Sequence, residues 1–307
     1  MKVGKPMFRP TIFRIFFLFC YLLITMNLSA GEIYVNADFA GTSTGSLSNP
    51  YKTISEGITN AEISDTIRII GRVSSVPYDE NVTINKNLII EGYNGGNSFP
   101  IIDVASTTEI AFTINSLLVT ISNLTFSNSA ENGGSSVAIY INIAGSITIS
   151  IEGCTFKKYA NAIKIDASID NGGIEILGNA IFIDGIDANG IGIKNESTSS
   201  INIDADDNYW GIYDPDIIEN DIVIEGMTGS ATTLWKPFRD STFLYTFNPD
   251  TGPTDVYVSM GYGTTGSNVR NVGDPNGAIV PTPMSTEGLY WQWNAFYSIQ
   301  DGINAVK

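Results

Sequence analysis

Three carboxylates stand close together after residue 203 and are the first side chains to suggest chemistry. Asp204, Asp206 and Asp207 follow a short apolar segment. In an extended strand, side chains two residues apart point to the same face, so Asp204 and Asp206 would lie together. Carboxylate oxygens are the ligands that Ca²⁺ prefers. The spacing therefore predicts a candidate calcium site at these three residues, and the alternative is a solvated turn, in which aspartate is common.

The side chains that most often carry catalysis are scarce in the rest of the sequence. The chain has no histidine and two cysteines, Cys20 and Cys154. Cys154 lies in an apolar segment, where a thiol behaves as a small hydrophobic group. Because Cys20 lies in a leader that we expect to be removed, no intramolecular disulfide can form. We therefore expect no thiol chemistry, and the stability of the protein must come from a large apolar core.

One short pattern recurs along the chain and must position these side chains. An apolar, a polar and a second apolar residue begin five segments, which start at Leu88, Val119, Ile149, Ile174 and Ile201. This alternation is typical of a strand with one buried face. The starts are 31, 30, 25 and 27 residues apart, and a repeat of this length indicates a solenoid. A second series of strand-like segments lies between them, at residues 138–141, 161–165 and 189–193.

A bend is expected at one fixed position of the repeat. Two residues after the second apolar position stand Gly92, Asn123, Gly153 and Gly178. Glycine and asparagine adopt positive φ at low cost, so this position predicts a left-handed bend. In the last segment it is Ala205, and we expect the register to slip by one there. The recurring bend favours a coil of parallel rungs over the alternative, an antiparallel sandwich, which has no such fixed bend.

Both ends of a coil need to be covered, because an open end exposes unpaired backbone and apolar core. Residues 50–61 place Ile54, Ile58 and Ala61 on one helical face, which predicts a capping helix at the N-terminal end. Four residues cluster where the repeat stops and could close the other end: Trp210, Trp235, Pro237 and Phe238. We expect these side chains to pack in the core rather than to stack on sugar.

The first thirty residues have the three parts of a secretory signal. Lys2, Lys5, Arg9 and Arg14 precede an apolar run at residues 15–24, and the segment ends in Ala30. The run is ten residues long, whereas a membrane span needs about 20. A cleaved signal is therefore favoured over the alternative, an uncleaved anchor. We expect a secreted or cell-surface protein with no membrane segment once residues 1–30 are removed.

The remaining chain is strongly acidic. Of the 16 basic residues four lie in the leader, which leaves 12 basic against 32 acidic residues and a net charge of −20. A surface this negative repels nucleic acid, anionic sugars and anionic lipid at long range. It is compatible with divalent cations and with neutral glycans, which are bound by hydrogen bonds and stacking. The expected partner is an extracellular glycan or matrix surface, and no nucleic acid.

Several segments together resemble a known family. Residues 33–36, 49–54, 65–67 and 80–84 resemble the opening of pectate-lyase-like right-handed parallel β-helix proteins. Residues 207–211 (Asp-Asn-Tyr-Trp-Gly) are similar to the signature that often closes such helices in secreted bacterial proteins. The resemblance covers about residues 32–240 and implies an all-β fold: a single-stranded right-handed parallel β-helix, a solenoid, with an N-terminal capping helix. These motifs are specific for architecture, since the family contains both enzymes and adhesins.

The resemblance also indicates which catalytic residues to look for. Galacturonan hydrolases of this family carry Gly-His-Gly and Arg-Ile-Lys segments, and neither is present here. Lyases of the family use a Lys or Arg base beside a carboxylate-bound Ca²⁺. Lys164 and Lys194 lie on neighbouring repeats and could supply that base. A calcium-dependent polysaccharide lyase is therefore the alternative function, and we expect instead a non-catalytic, glycan-binding or adhesin-type scaffold.

The opening pattern recurs near the C-terminus. Residues 255–259 resemble 32–36, and residues 296–306 resemble 51–61, with Ile, Gly and Ile at equal spacing. A longer segment rich in Gly and Pro separates the two pieces. The expected organisation is a signal at 1–30, a β-helix domain at 31–240, and at 241–307 a linker with the start of a second, incomplete module. We expect a monomer or a part of a longer tandem chain.

Overall fold

Parallel strands are the main regular secondary structure in the part of the chain that the structure describes. The computed structural model describes residues 30–95, 98–106, 108–130, 134–166, 168–169, 171–182, 190–197, 201–211, 218–224, 232–234, 236, 238–239, 246–247, 257–258 and 295–296. Residues 1–29 of the expected signal at 1–30, Trp235, Pro237 and most of residues 241–307 lie outside these ranges.

Alternating Ile and Val residues form most of the strands, because β-branched side chains fit a pleated, half-buried surface. The helical elements are α1 (Ile54–Asn60), a 3-10 turn (Val73–Ser75) and one π-helical turn (Ile218–Ile222). Among the described residues no helix has the length and apolar character needed to cross a bilayer. The strands are β1 (Glu32–Val35), β2 (Thr66–Ile70), β3 (Val82–Ile84), β4 (Leu88–Tyr93), β5 (Ile101–Ile102), β6 (Ile110–Ile114), β7 (Leu118–Ser122), β8 (Thr125–Ser127), β9 (Val137–Ile141), β10 (Ser146–Glu152), β11 (Thr155–Lys157), β12 (Asn161–Ile165), β13 (Asn171–Leu177), β14 (Ala180–Phe182), β15 (Ile191–Asn195), β16 (Asn202–Asp204), β17 (Val223–Ile224), β18 (Thr232–Leu234), β19 (Phe238–Arg239), β20 (Thr246–Phe247), β21 (Tyr257–Val258) and β22 (Ala295–Phe296).

Three sheets, all parallel, contain most of these strands. The eight-stranded sheet has the order β1-β2-β4-β7-β10-β13-β16-β18, the six-stranded sheet β3-β6-β9-β12-β15-β17, and the four-stranded sheet β5-β8-β11-β14. From β3 to β14 the chain passes through the six-, eight- and four-stranded sheets in constant rotation. Parallel pairing between successive turns of the chain is the arrangement of an all-β parallel solenoid, and it excludes the antiparallel sandwich for this region.

The apolar positions of successive turns lie over one another in the core. In the eight-stranded sheet one buried row contains, in register, Ile67, Ile90, Ile121, Ile151 and Ile176. A second buried row contains Leu88, Val119, Ile149, Ile174 and Ile203. Each fully buried side chain of this kind contributes about 1.5–3 kcal/mol relative to exposure. Stacked rows of Ile, Val and Leu residues therefore hold successive turns together in the part of the chain that the structure describes.

The bend after the eight-stranded sheet has positive φ at three of the four predicted positions. The φ values are 58° at Asn123, 60° at Gly153 and 64° at Gly178. Gly92 is an exception: it lies in β4 and is not among the residues with positive φ. Its absent side chain matters for a different reason, since a Cβ there would lie 1.9 Å from the Asn123 carbonyl oxygen. Glycine is needed at position 92 for close backbone approach.

The last copy of the pattern has a different register from the predicted one. Ile174 pairs with Ile203, not with Ile201, so the slip is two residues rather than one. The bend residue of this turn is accordingly Asp207, with φ 56°. Aspartate tolerates this conformation better than most residues, because its short polar side chain can hydrogen-bond locally. The prediction of a bend at or beside Ala205 was therefore wrong by up to two residues.

A short asparagine ladder follows the bend inside the coil. Asn208 Oδ1 accepts hydrogen bonds from the Asn179 backbone N–H (2.8 Å) and from Asn179 Nδ2 (3.0 Å). Asn179 Oδ1 in turn accepts from the Cys154 N–H (2.8 Å). Asn208 Nδ2 donates to the backbone carbonyls of Ala205 and Ile176. Both side-chain amides are buried. These bonds give buried backbone groups the partners that water can no longer supply, and an unsatisfied group there would destabilise the folded protein.

Aromatic side chains fill the core beside the four-stranded sheet. Phe126 and Phe156 pair in register, and their rings stack with centroids 5.2 Å apart and planes 5° apart. Trp210 and Phe238 are fully buried, which confirms that these two pack in the core. Cys154 is also buried, and burial raises the pKa of its thiol to about 12, so this cysteine has the expected hydrophobic character.

Helix α1 is held at both ends by charged side chains that flank β3. The Glu80 carboxylate accepts hydrogen bonds from the Ile54 N–H (2.9 Å) and the Ser55 N–H (3.1 Å) at the helix start. Lys86 Nζ donates to three carbonyl oxygens at the helix end, those of Ile58, Thr59 and Ala61, at 2.8–2.9 Å. A carboxylate at the first turn and an ammonium at the last both complement the helix dipole. β3 thereby anchors α1 to the first turn of the solenoid.

Replacing Lys86 by methionine should lower the free energy of unfolding by about 1–2 kcal/mol, because it removes the charged donor that satisfies the last carbonyls of α1. The measurement is the urea midpoint of the full chain. Lys52→Met is the matched control, since Lys52 is exposed beside the start of the same helix. Equal midpoints for the two variants would contradict this role of Lys86.

Candidate functional site

The outer face of the eight-stranded sheet presents polar side chains in aligned rows. Positions that alternate with the buried rows face solvent, and we call this surface the outer face. It comprises Glu32, Tyr34, Thr66, Arg68, Ile70, Ile89, Glu91, Tyr93, Leu118, Thr120, Ser122, Ser146, Thr148, Ser150, Glu152, Glu175, Leu177, Asn202 and Asp204. The alternation follows from the period of two in a strand, which directs most Ile and Val residues inward and most hydroxyl and charged residues outward. Ile89 and Leu118 are exposed apolar exceptions on this face.

Hydroxyl and carboxylate groups occupy the middle of the outer face. Thr120 pairs with Ser150, and Ser122 pairs with Glu152, on the adjacent strands β7 and β10. Ser150 Oγ donates a 2.6 Å hydrogen bond to Glu152 Oε1. Neighbouring strands lie about 4.7–4.9 Å apart, so hydrogen-bonding groups recur at that interval along the coil. A long ligand laid along the coil would therefore meet a regular series of donors and acceptors.

Two tyrosines, an arginine and two carboxylates form a cluster where the outer face begins, on β1, β2 and β4. We call Glu32, Tyr34, Arg68, Glu91 and Tyr93 the Tyr–Arg cluster. Arg68 Nη2 lies 2.8 Å from Glu32 Oε1 and its Nη1 lies 2.7 Å from Glu91 Oε2. The guanidinium carbon lies 5.8 Å from the Tyr93 ring centroid. The Tyr34 and Tyr93 rings meet edge to face with centroids 5.9 Å apart.

The charges of the Tyr–Arg cluster are fixed by these contacts. The Tyr34 hydroxyl donates a 2.7 Å hydrogen bond to Glu32 Oε2, and this bond, followed by those from Arg68, lowers the pKa of Glu32. The same hydrogen bond raises the pKa of Tyr34. The tyrosine is therefore a neutral hydrogen-bond donor at neutral pH, and the Glu32 carboxylate accepts hydrogen bonds from both Tyr34 and Arg68. Planar groups held in place in this way lose little rotamer freedom when a ligand binds.

The predicted calcium ligands lie together at the far end of the same sheet. Asp204 faces outward from β16, and its Oδ1 accepts a 3.4 Å hydrogen bond from the Asp206 N–H. Asp207 is paired with Arg239 through both carboxylate oxygens, Oδ1 to Nε at 2.8 Å and Oδ2 to Nη2 at 3.0 Å. A cation at Asp207 would have to displace this guanidinium. Burial, followed by the charges of Asp204 and Asp207, raises the pKa of Asp206.

Within the described ranges, no group of three or more His, Cys, Asp or Glu side chains has the arrangement of a metal site. The carboxyl groups nevertheless lie close enough to raise the pKa of Asp206 by repulsion. A calcium site at Asp204, Asp206 and Asp207 therefore stays a prediction. The solvated turn, with Asp207 at the bend and ion-paired, accounts for the contacts that the structure shows.

Asp206→Asn should stabilise the metal-free protein slightly at pH 7, by less than about 1 kcal/mol. A folded-state pKa above the usual value means that the ionised carboxylate costs stability, and that this cost appears as pH rises through the folded pKa. The gain should therefore vanish below about pH 3, where the carboxyl is protonated in both states. Thermal melting in chelator at the two pH values is the measurement, with Glu109→Gln as a control that leaves the melting temperature unchanged, since Glu109 is exposed and lies outside the aspartate cluster.

The same melting experiment in Ca²⁺ tests the metal prediction. Bound calcium would raise the melting temperature of the unaltered chain and not that of Asp206→Asn, because only the folded state holds the ligands together. No difference between Ca²⁺ and chelator for the unaltered chain would remove the calcium proposal.

The two lysines suggested as a base lie on a different sheet. Lys164 and Lys194 pair in register on β12 and β15 of the six-stranded sheet. Glu196 bridges them, at 3.1 Å from Lys164 Nζ and 2.8 Å from Lys194 Nζ. Lys164 also lies 5.3 Å from the ring centroid of Tyr140, whose hydroxyl donates to Asp166. The structure thus brings the lysines to each other and the aspartates to each other, on two different sheets.

Sequence reasoning missed the Tyr–Arg cluster and the Arg239 partner of Asp207. The outward positions of β1, β2 and β4 could be read from their alternation, but not which of them are neighbours. Glu32 and Arg68 are 36 residues apart, and Asp207 and Arg239 are 32 apart. Only the register between turns of the coil identifies these pairs.

Comparison with known proteins adds no assignment: no family model, no curated protein and no solved structure matches the chain.

Proposed function

We propose that this chain is an exported β-helix protein that binds an extracellular glycan through the outer face of its eight-stranded sheet without cleaving it. In this proposal residues 1–30 are a secretory signal, and residues 31–240 wind into a single-stranded right-handed β-helix of the pectate-lyase-like type. Helix α1 covers its N-terminal end. The protein acts at the bacterial cell surface or in the surrounding matrix as an adhesin-type scaffold.

The observation that carries the proposal is the position of the Tyr–Arg cluster beside the hydroxyl rows on one continuous face. Sugar rings offer C–H faces that pack on aromatic rings, together with hydroxyl pairs that bind planar carboxylate and guanidinium groups. The cluster contains both kinds of group, and the interactions with Glu32 and Glu91 orient Arg68 before a ligand arrives. Thr120, Ser122 and Ser150 extend the hydrogen-bonding surface along the coil axis.

Charge favours a neutral glycan over a polyanion. The chain without its leader carries a net charge of −20, which repels acidic polymers at long range. On the outer face itself, Glu91, Glu152, Glu175 and Asp204 add acceptors rather than cations. A neutral polysaccharide needs only hydrogen bonds and stacking, and both are available there.

A calcium-dependent polysaccharide lyase is the alternative, and the geometry favours it less. Such an enzyme needs its base beside the metal-bound carboxylates. Here Lys164 and Lys194 lie on the six-stranded sheet, whereas Asp204 lies on the eight-stranded sheet. Glu196 is already paired with both lysines.

Binding of a panel of neutral and acidic polysaccharides to the full chain without residues 1–30 tests the proposal. A neutral glycan should bind, and no new reducing or unsaturated ends should appear with or without Ca²⁺. Arg68→Met should weaken that binding at least about tenfold, since an arginine that contacts the ligand directly and is already oriented for it contributes more than about 1.4 kcal/mol to binding.

Arg72→Met is the matched control for Arg68→Met. Arg72 also pairs with a carboxylate, Asp38 at 2.9 Å, and also lies over a tyrosine ring, Tyr78 at 5.9 Å. It follows β2 and does not belong to the outer face. Affinity should be unchanged in this variant. Equal affinities for the two variants, or new chain ends in the presence of Ca²⁺, would overturn the proposal.

A further inference from the structure

The backbone nitrogen of Gly31 lies against a carboxylate at the start of the eight-stranded sheet. The Gly31 N–H donates a hydrogen bond to Asp65 Oδ1 at 2.6 Å. The Gly31 carbonyl accepts a hydrogen bond from the Thr66 N–H at 2.9 Å. Gly31 is therefore held to the segment that leads into β2 through both its nitrogen and its carbonyl group.

The Asp65 carboxylate is largely buried, and backbone groups are its partners. The residue is 8% exposed, and its Oδ2 accepts a hydrogen bond from the Glu62 N–H at 2.7 Å. Among the described residues, no lysine or arginine side chain forms an ion pair with it. A carboxylate removed from water without a cation destabilises a fold. A positive charge beside Asp65 would therefore stabilise the protein.

Glycine at position 31 makes the close approach of this nitrogen possible. A Cβ there would lie 2.9 Å from Asp65 Oδ1 and 3.4 Å from its Cγ. The carboxylate is not free to turn away, because its second oxygen is bonded to the Glu62 N–H. A side chain at residue 31 would thus push apart the two groups that now touch.

The peptide bond between Ala30 and Gly31 is the one at which the sequence predicts removal of the signal. Ala30 is exposed, whereas Gly31 is half-buried. Hydrolysis adds water across this bond: Ala30 keeps the carboxylate, and the Gly31 nitrogen leaves as a primary amine. That amine takes up a proton below about pH 8. The neutral N–H on Asp65 thereby becomes an ammonium group without any movement of the nitrogen.

We propose that the ammonium group of Gly31, released by hydrolysis after Ala30, forms an ion pair with Asp65 and stabilises the folded protein. The proposal rests on the removal of residues 1–30 that is part of the proposed function, and it does not depend on the glycan. An ammonium is a stronger donor to a carboxylate than a neutral amide is. Removal of the signal therefore strengthens the attachment of β1 to β2 at the first turn of the coil.

Two chains that differ by one residue test the proposal. One begins at Gly31, and the other retains Ala30, so that its ammonium lies one residue away and the Gly31 nitrogen is again an amide. Both have the same net charge. At pH 7 the chain that begins at Gly31 should melt about 3 °C or more above the other, the shift expected for one additional ion pair in a chain of this size. Equal melting temperatures would overturn the proposal.

Asp65→Asn in both chains shows whether the difference comes from the ion pair. Asparagine removes the charge and keeps an oxygen that accepts from the Glu62 N–H. The two variants should then melt at the same temperature. Asp38→Asn is the matched control, because Asp38 also accepts a backbone N–H, from Val73 at 3.0 Å, and it should leave the difference intact. A difference that persists in Asp65→Asn would overturn the proposal.

If Asp65→Asn does not fold, the pH dependence of the two unsubstituted chains decides. Pairing with Asp65 raises the pKa of the ammonium above the usual α-amino value of about 8. Its contribution is therefore complete below that pH and is lost as pH rises through the folded-state pKa. The charged side chains of the adjoining segments, Glu32, Glu62, Asp65 and Arg68, are common to both chains. The difference in melting temperature should vanish near about pH 10, and a difference that pH leaves unchanged would overturn the proposal.

The first residue of the exported protein, read by mass spectrometry, separates the ion pair from the processing on which it rests. Gly31 is the expected first residue. A different first residue would refute the processing step of the proposed function, and the proposal with it. Gly31 as the first residue together with equal melting temperatures would refute the ion pair alone.

Discussion

Replacing Gly92 by alanine should lower the free energy of unfolding by about 4 kcal/mol or more, a size reserved for severe steric or cavity effects. An alanine Cβ at this position would lie 1.9 Å from the carbonyl oxygen of Asn123 and 2.8 Å from its carbonyl carbon. The obstacle is backbone and cannot rotate away. Asn123 is itself held by a hydrogen bond from its N–H to the Glu152 carbonyl (3.1 Å), so relief of the clash would disturb the next turn as well.

The urea midpoint of Gly92→Ala measures this effect, and Gly173→Ala is its control. Gly173 also lies in a strand of the eight-stranded sheet, and a Cβ there would meet no atom within 4 Å. The Gly173→Ala substitution should leave the free energy of unfolding unchanged or raise it slightly, because alanine restricts the unfolded chain more than glycine does. Similar midpoints for the two variants would show that β4 and β7 do not approach each other as described.

Replacing Asn208 by alanine should lower the free energy of unfolding by about 3 kcal/mol. The change leaves the Asn179 N–H without its acceptor, and the Ile176 and Ala205 carbonyls without their donor. All of these groups lie in the interior, where each unsatisfied group costs about 1–3 kcal/mol. The effect should also pass to the neighbouring turn, because Asn179 orients its own amide on the Cys154 N–H.

Chemical denaturation of Asn208→Ala should show a lower midpoint with an unchanged slope, since the chain still unfolds as one unit. Asn202→Ala is a suitable comparison, because Asn202 is exposed on β16, six residues earlier. If Asn208→Ala and Asn202→Ala lower the free energy of unfolding equally, the buried asparagine ladder contributes no more to stability than a surface asparagine does.

The sequence repeat predicted the class of fold because every turn of the chain must meet the same two physical requirements. Alternating Ile and Val residues must bury one face, and a bend must follow at a constant place. What the alternation could not give is the register. A shift of two residues returns every side chain to the same face, so the pattern is equally satisfied by Ile201 or Ile203 opposite Ile174. The structure selects Ile203, and the bend moves to Asp207.

Close approach and long-range pairing were the other features beyond the reach of the sequence. Gly92 has the same sequence context as Gly153, yet one is needed for space and the other for positive φ. At the site, the proximity of Asp204, Asp206 and Asp207 was predictable from their spacing. Their arginine partner and the whole Tyr–Arg cluster depend on which residues of different turns become neighbours. Register therefore determines the site as well as the core.

A stiff coil is suited to the proposed role because the outer face needs no rearrangement to bind. Its side chains project from strands whose inward neighbours are tightly packed Ile and Val residues. Ordering a flexible surface would reduce affinity, whereas a preformed one avoids that cost. The stability of the core and the binding strength of the face are thus linked through the same strands.

Binding to opposite faces of the coil is the most direct test of the central claim. Ser150→Arg places a bulky side chain on the outer face of the eight-stranded sheet, and Thr113→Arg places the same side chain on the solvent face of the six-stranded sheet. Both variants add one positive charge in the middle of a strand. For the glycan bound by the unaltered chain, the account predicts a Kd at least about tenfold weaker with Ser150→Arg and unchanged with Thr113→Arg. Full affinity in Ser150→Arg together with weakened binding in Thr113→Arg would contradict it.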